Sequence, residues 1–454
     1  MRKILIFLAV VIALGSAAAA DWELSAPINS YSIKTYEIDN IAVDEIYYTC
    51  STFQKKPVQI FGYYCRPKNK SNLPAIAIIH GGGGYAKLPT TLNFAKHGYA
   101  VLTIDLPGKG TLRSDKSRST GPDMDVPTLL RVSPDPSYNY LYHAVRAARG
   151  TISFLESRAE VDKTKIGMLG LSWGGVITLI VNGVDKRLAS AIPVFGSGYL
   201  DQGSTWQGRF DQWMSDADKK TYNRRFDAKN YLKSQHAPVL YMTGSNDHCF
   251  YIPNFIKSYR NMPPGQATLT IYPNGKHTVN AAMLNTFLHW FNVTLKKTEP
   301  PFSKITIEKI KNQKGFLMLK LSHDGTLYYS KSGVDRWTVK KWLPINSSGG
   351  WVKIPKELLS PEIIFFAGVR DGRGVLVTTP IYALMHFKLS DGRTIYALTP
   401  PVEEIEYHRI SPQTWEEILG QKCDIPGDSF LLANLTRVGA KVVNKKSYYY
   451  IKLP

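Results

Sequence analysis

The stretch KIGMLGLSWGGVITLI, residues 165–180, carries one serine between two apolar runs and no charge after its first residue. Its first half reads as a strand and its second as a helix, so the chain must change character within Gly170, Leu171, Ser172, Trp173 and Gly174. A glycine two positions to either side of so sharp a turn leaves no side chain to strike the facing backbone. The pattern predicts a strand-to-helix turn that holds the Ser172 hydroxyl above a sheet. Five residues can match by chance, and the surrounding chain decides what the match means.

From residue 73 to residue 277, short apolar runs alternate with longer helical patterns. The runs PAIAIIH, YAVLTID, KIGMLGL, LASAIPVF, APVLYMTG and ATLTIYP read as strands of a mostly parallel sheet flanked by helices, an α/β class. The helix after the serine, GGVITLIVNG, is apolar on all sides and belongs at the centre of the domain. The β-rich segment at 21–72 is expected to extend the sheet at its edge with antiparallel strands. After KKTEPPFSK the pattern turns to short strands without clear helices, ITIEKI through GVLVTTP, which predicts a small β-sandwich-like domain over 302–385. Residues 386–454 are mixed, with one possible helix at 411–420. The α/β domain itself is expected to span 73–298.

Residues 1–20 differ from the rest. Two basic residues, an apolar run at 4–14 and a small-residue stretch ending at Ala20 read as a secretory signal peptide cut near Ala20. Eleven apolar residues are too few to span a bilayer, which needs about 20, so the exported protein, periplasmic or secreted, is expected to carry no membrane anchor. The formal charge of +20 is spread along the chain: 22 basic and 14 acidic residues lie from residue 300 onward, a net +8. There is no concentrated basic arm, and nucleic acid is not an implied partner. Export permits disulfides. Cys50 and Cys65 lie in two β-rich runs that a hairpin could bring together, either as a disulfide or as two buried free thiols; Cys249 and Cys423 cannot be paired by spacing.

A serine becomes a nucleophile only when a base removes its proton and a third group orients that base. Asp247, in LYMTGSNDHCF, lies just past a strand, and His277, in LTIYPNGKHTVN, lies just past the next one. With Ser172 they give the chain order Ser, Asp, His, each at the carboxyl end of a strand, where open α/β sheets place their sites. The run HGGGG at 80–84 offers backbone N–H groups unobstructed by side chains. Gly82 or Gly83 is the expected first oxyanion donor, and the N–H of Trp173 the second. The glycine run lacks the GK[ST] ending of a phosphate-binding P-loop, and neither a metal nor an organic cofactor is implied.

Residues 158–200, from RAEVDKTKIGMLGLSWGG to FGSGYL, and 237–277, APVLYMTG to PNGKH, resemble the acetyl xylan esterase and dienelactone hydrolase branch of the α/β-hydrolases, close to prolyl oligopeptidase-like catalytic domains. The resemblance covers about residues 60–291 and includes IDLPGKG at 104–110. It implies the α/β-hydrolase fold, with Ser172 as nucleophile, His277 as general base and Asp247 as its orienter. The residue after the serine, commonly Gln in this branch, is Trp173 here.

The resemblance and the residues together predict an exported serine hydrolase that cleaves carboxylic esters, with acylated carbohydrate as the candidate substrate. A serine peptidase with the same three residues is the alternative, and a polysaccharide- or partner-binding protein on a hydrolase scaffold is a third. Between strands, GSTWQGRFDQWMSDADKK places Trp206 and Trp213 as candidates to stack on substrate or simply to pack, and Arg113 is a candidate contact for an acidic group. The sequence does not indicate an oligomeric state.

Overall fold

The computed structural model describes Trp22 and residues 28–109, 116–202, 205–313, 316–331, 337–359, 363–388, 394–399, 441–445 and 448–452. The leader at 1–20, Arg113, Cys423 and the helix read at 411–420 lie outside the described residues.

Nine strands form one sheet: β1 (Ser30–Ile38), β2 (Ile41–Phe53), β3 (Lys56–Pro67), β4 (Leu73–Ile79), β5 (Ala100–Ile104), β6 (Val161–Leu171), β7 (Leu188–Val194), β8 (Val239–Gly244) and β9 (Ala267–Tyr272). Their order is β1-β2-β3-β5-β4-β6-β7-β8-β9. The strands from β5 through β4, β6 and β7 to β8 pair in parallel, whereas β1, β2 and β3 pair antiparallel, with β3 antiparallel to β5. This is an α/β-hydrolase sheet with an antiparallel N-terminal extension. Parallel strands covered on both faces must be apolar along their whole length. β5 and β8 are accordingly buried at every position, and β4 and β7 at all but one.

Among the flanking helices, Tyr140–Glu156 starts at Asn139, whose side chain accepts from Leu141 N at 2.8 Å. The helix Trp173–Val184 is buried from Trp173 through Asn182, as its lack of any polar face requires. No described helix is long and apolar enough to cross a membrane.

The hairpin of β2 and β3 forms, but in a register that excludes a bridge between Cys50 and Cys65. Cys65 lies opposite Val43, while Cys50 lies at the bulge between Thr49 and Ser51, opposite Gln59 and Val58. Seven residues of strand separate Cys50 from Val43, roughly 23 Å, against the 4–7 Å between Cα atoms that a disulfide tolerates. Both thiols are free and buried, and burial pushes both up to about 12. The two residues at the turn, Gln54 and Lys55, both have positive φ, and that two-residue turn fixes the register.

Beyond residue 302 the chain builds β10 (Ile307–Gln313), β11 (Phe316–Leu321), β12 (Thr326–Ser330), β13 (Leu343–Asn346), β14 (Trp351–Pro355), β15 (Ile364–Arg370), β16 (Leu376–Thr378), β17 (Tyr382–Lys388) and β18 (Thr394–Thr399). One antiparallel sheet runs β10-β11-β14 and a second β13-β12-β15-β17-β18, with β16 on β15. Strands β11 and β14 alternate buried and outward positions. Their inward residues Leu317, Leu319, Leu321, Val352 and Ile354 share one core with Leu327, Phe365 and Ala367 of the second sheet.

Contacts divide the chain into two compact units. The first comprises the described residues up to Thr243 together with Cys249–Thr268 and Val279–Pro301; the second joins Gly244–His248 and Leu269–Thr278 to the described residues from Phe302 onward. The segments that bear Asp247 and His277 thus group with the C-terminal sheets.

Candidate active site

In the first unit, Ser172 stands between β6 and the helix Trp173–Val184 with φ 59° and ψ −119°, a backbone conformation that side chains other than glycine's rarely adopt. Its N–H donates to the Val194 carbonyl at 2.8 Å and its carbonyl accepts from Val176 N at 3.1 Å, so the turn is fixed on both sides. The flanking glycines have a steric cause. A Cβ on Gly170 would lie 2.0 Å from the Gly174 carbonyl oxygen, and one on Gly174 would lie 2.2 Å from that of Ile79.

Register brings the glycine run to the serine. Ile79 of β4 pairs with Gly170 of β6, so both strands end side by side. A Cβ on Gly81 would lie 2.7 Å from Ser172 Cβ and 3.3 Å from its Oγ. Gly84 N donates to the Gly81 carbonyl at 3.0 Å, and Gly83 turns the chain with φ 76°. Trp173 is the first residue of its helix, so its N–H is one of the donors that no carbonyl within the helix can reach.

Two polar residues hold this loop. Leu106 N donates to His80 Nε2 at 2.9 Å, which places the ring proton on Nδ1, and Nδ1 donates to the Gly81 carbonyl at 2.7 Å. Burial pushes the His80 imidazole down to about 4, so the ring is neutral at neutral pH. Asp105, at the end of β5, accepts from Ala86 N at 2.5 Å and from Arg118 N at 2.7 Å; burial raises its carboxyl above the usual range. The glycines are visible in the sequence, but the groups that anchor them are less so. The available signal is a polar residue ending each of two otherwise apolar strands.

Beside the serine, Trp173 packs edge-on against Trp206 with ring centroids 4.7 Å apart and against Phe250 at 5.8 Å. All three rings are buried, and the Arg209 guanidinium lies 4.5 Å from the Trp206 ring. Trp213, the other tryptophan of this segment, is 52% exposed. Phe250 has no sequence signal beyond its position just after Asp247.

In the second unit, Asp247 is fully buried three residues past β8, and its Oδ2 accepts from His277 Nδ1 at 2.8 Å. His277 lies five residues past β9, with its side chain 15% exposed. A carboxylate only accepts, so this pairing puts the imidazole proton on Nδ1 and leaves a lone pair on Nε2.

Residues 23–200 match the acetyl xylan esterase family, and residues 177–339 match the PhoPQ-activated pathogenicity-related proteins. An acetyl esterase of Xylanibacter ruminicola is 24% identical over 250 residues, which span 52% of this chain and 56% of that protein. The chain therefore spans little more than half the length of that relative. Among solved structures, an acetyl xylan esterase from Paenibacillus sp. superposes with a TM-score of 0.50 at 21% identity, covering 63% of this chain and 94% of the other. Acetyl xylan esterase 1 from Thermoanaerobacterium sp. gives 0.51 at 17%, covering 63% and 92%. At such identities the superpositions speak for the fold alone, and the sequence match is a likeness over residues 23–200. The chain has the α/β-hydrolase fold, and the part of it that carries Ser172 is similar to the acetyl xylan esterases.

Proposed function

We propose that this protein is an exported serine esterase that removes short acyl groups, acetyl above all, from carbohydrate. The observation that carries the reading is the state of Ser172, a hydroxyl held at positive φ at the end of β6 with the glycine loop against it. Asp247 and His277 are read as its orienter and base, on their chain order and their 2.8 Å hydrogen bond. In this mechanism Ser172 Oγ attacks the ester carbonyl while His277 Nε2 takes its proton. The oxyanion is met by the N–H groups of Trp173 and of Gly82 or Gly83; losing one such donor typically costs about 10²–10³ in kcat. Nε2 then gives the proton to the departing sugar oxygen. Water, activated by the same nitrogen, releases the acid from the acyl-serine.

Short acyl groups are favoured because Trp173, Trp206 and Phe250 fill the space beside the nucleophile with one another. The sugar as alcohol is inferred from the acetyl xylan esterase match, and export from residues 1–20.

The test expresses the chain with its leader, reads the mature mass for a cut near Ala20, and assays p-nitrophenyl acetate, longer esters and acetylated xylan. Expected are a preference for acetyl and loss of both turnover and fluorophosphonate labelling in Ser172→Ala. Turnover that survives Ser172→Ala would remove the serine from the mechanism.

A further inference from the structure

The Asp247 and His277 loops are bound to each other through the backbone. Ser245 N donates to the Tyr272 carbonyl at 2.9 Å and Asn246 N to that of Gly275 at 2.8 Å, while Asn274 N donates to Ser245 Oγ at 2.8 Å. Two asparagine side chains then point away from this pairing, toward one short segment of the C-terminal sheets' domain. Asn246, next to Asp247, donates from Nδ2 to the Lys340 carbonyl at 2.6 Å. Asn274, three residues before His277, accepts from Trp342 N at 2.8 Å and donates to the Trp342 carbonyl at 3.0 Å. That amide makes the two-way exchange of a β-ladder rung, from a residue whose own φ is 58°.

The segment is itself anchored. Trp342 is buried, and its ring meets Phe366 of β15 with centroids 5.0 Å apart. Lys340 is buried too, with its ammonium 5.0 Å from the Trp337 ring. A second attachment reaches β9: Thr270 Oγ1 donates to the Leu376 carbonyl at 2.7 Å, and Ile271 N to Thr378 Oγ1 at 3.1 Å.

We propose that residues 338–342 are a brace that positions the Asp247–His277 pair, so that the C-terminal domain acts on the chemical step and not on substrate capture. This rests on the reading of that pair as orienter and base. Loops at strand ends move more than the strands themselves, and misplacing a catalytic group by about 1 Å can cost 10²-fold in rate. Amides that lock both loops to a sandwich core suppress that movement. Asn246 and Asn274 are positioning residues; neither is asked to touch substrate.

The test measures kcat and KM for p-nitrophenyl acetate on the full chain, well below the melting midpoints. Asn274→Gly keeps the positive φ and removes only the side chain, and Asn246→Ala removes the other amide. Each is expected to lower kcat roughly 10- to 30-fold with KM within about twofold, and the double variant to lose less than the product, because one brace is broken twice. The low-field proton NMR resonance of His277 Nδ1–H should broaden in step. Leu319→Ala, in the sandwich core, is the control for instability: it should lower the melting temperature and leave kcat unchanged. A double asparagine variant with wild-type kcat, or a loss that Leu319→Ala reproduces, overturns the brace if Asp247→Asn and His277→Gln still abolish turnover. If those two variants are also active, the reading of the pair itself has failed and the brace falls with it.

Discussion

The Ser172 turn and the Asp247–His277 loops reach fixed geometry by opposite means. The turn is local: residues 170–175 and the ends of the adjacent strands β4 and β7 supply nearly every constraint, and these are steric, through glycines that admit no side chain. The Asp247 and His277 loops are held by hydrogen bonds to residues 68 and 94 positions away in sequence. Steric fixation survives anything short of unfolding, whereas a hydrogen-bonded brace can be removed one amide at a time. The Ser172 turn should therefore tolerate damage elsewhere in the chain, and the Asp247–His277 pair should not.

The largest effects test that contrast directly. Ser172→Gly should abolish turnover yet raise stability by roughly 1 kcal/mol, because glycine adopts the observed φ and ψ without strain. Asp247→Asn should lower kcat by about 10⁴ with no such gain, since it exchanges one buried carboxylate oxygen for an NH2 donor and removes the negative charge that faces the imidazole. Activity assays and urea unfolding of both variants give the comparison. A Ser172→Gly protein less stable than wild type would mean the turn is not strained and the local account is wrong.

These differences follow what the sequence makes legible. All six strands read between residues 73 and 277 are present, because strands buried on both faces announce themselves by composition alone. The serine, its glycines and their strand are adjacent in sequence, so their geometry is legible too. Asn246 and Asn274 are not, because a side-chain amide bonded to a distant backbone carbonyl leaves no periodic trace. Of the two states left open for Cys50 and Cys65, the disulfide fails for a related reason. The hairpin is legible, but its register depends on a turn built from Gln54 and Lys55 at positive φ, where asparagine or glycine would have marked it. In the C-terminal sheets β13 escapes notice, since its four residues include Pro344.

A smaller effect separates the first unit by pH. His80, under the glycine loop, and His143, on the helix Tyr140–Glu156, are both pushed down to about 4 by burial. His143 accepts from Ser51 Oγ at 2.8 Å on Nδ1 and donates to the Ser137 carbonyl at 2.8 Å from Nε2, so it is held neutral. A folded-state value below the unfolded one means the unfolded chain binds protons first. The stability these rings contribute is complete above about pH 6.5 and is lost as pH falls toward 4, by about 3 kcal/mol for His143. Asp105 and Asp227, raised by burial, act in the opposite sense, so the contrast with His143→Gln is the informative one. Its urea midpoint should depend less on pH between 6.5 and 4 than the wild type's. Parallel pH curves would show that His143 is not held neutral by burial.

The smallest effect concerns the two tryptophans of the 205–214 segment, which look equivalent in sequence and are not equivalent in the fold. Trp206 is packed on Trp173, directly after Ser172, and Trp213 is half in solvent. If aromatic filling beside Ser172 sets the acyl length, Trp206→Ala makes room for carbons that the wild type excludes. One methylene group in an apolar pocket is worth about 1–3 kcal/mol. The ratio of kcat/KM for butyryl over acetyl ester should rise about tenfold in Trp206→Ala and stay within twofold of wild type in Trp213→Ala. Both must be assayed well below their melting midpoints, because deleting a buried tryptophan typically costs about 3–5 kcal/mol. An unchanged ratio in Trp206→Ala would leave the aromatic cluster as packing only, and acyl selection would have to lie elsewhere around the serine.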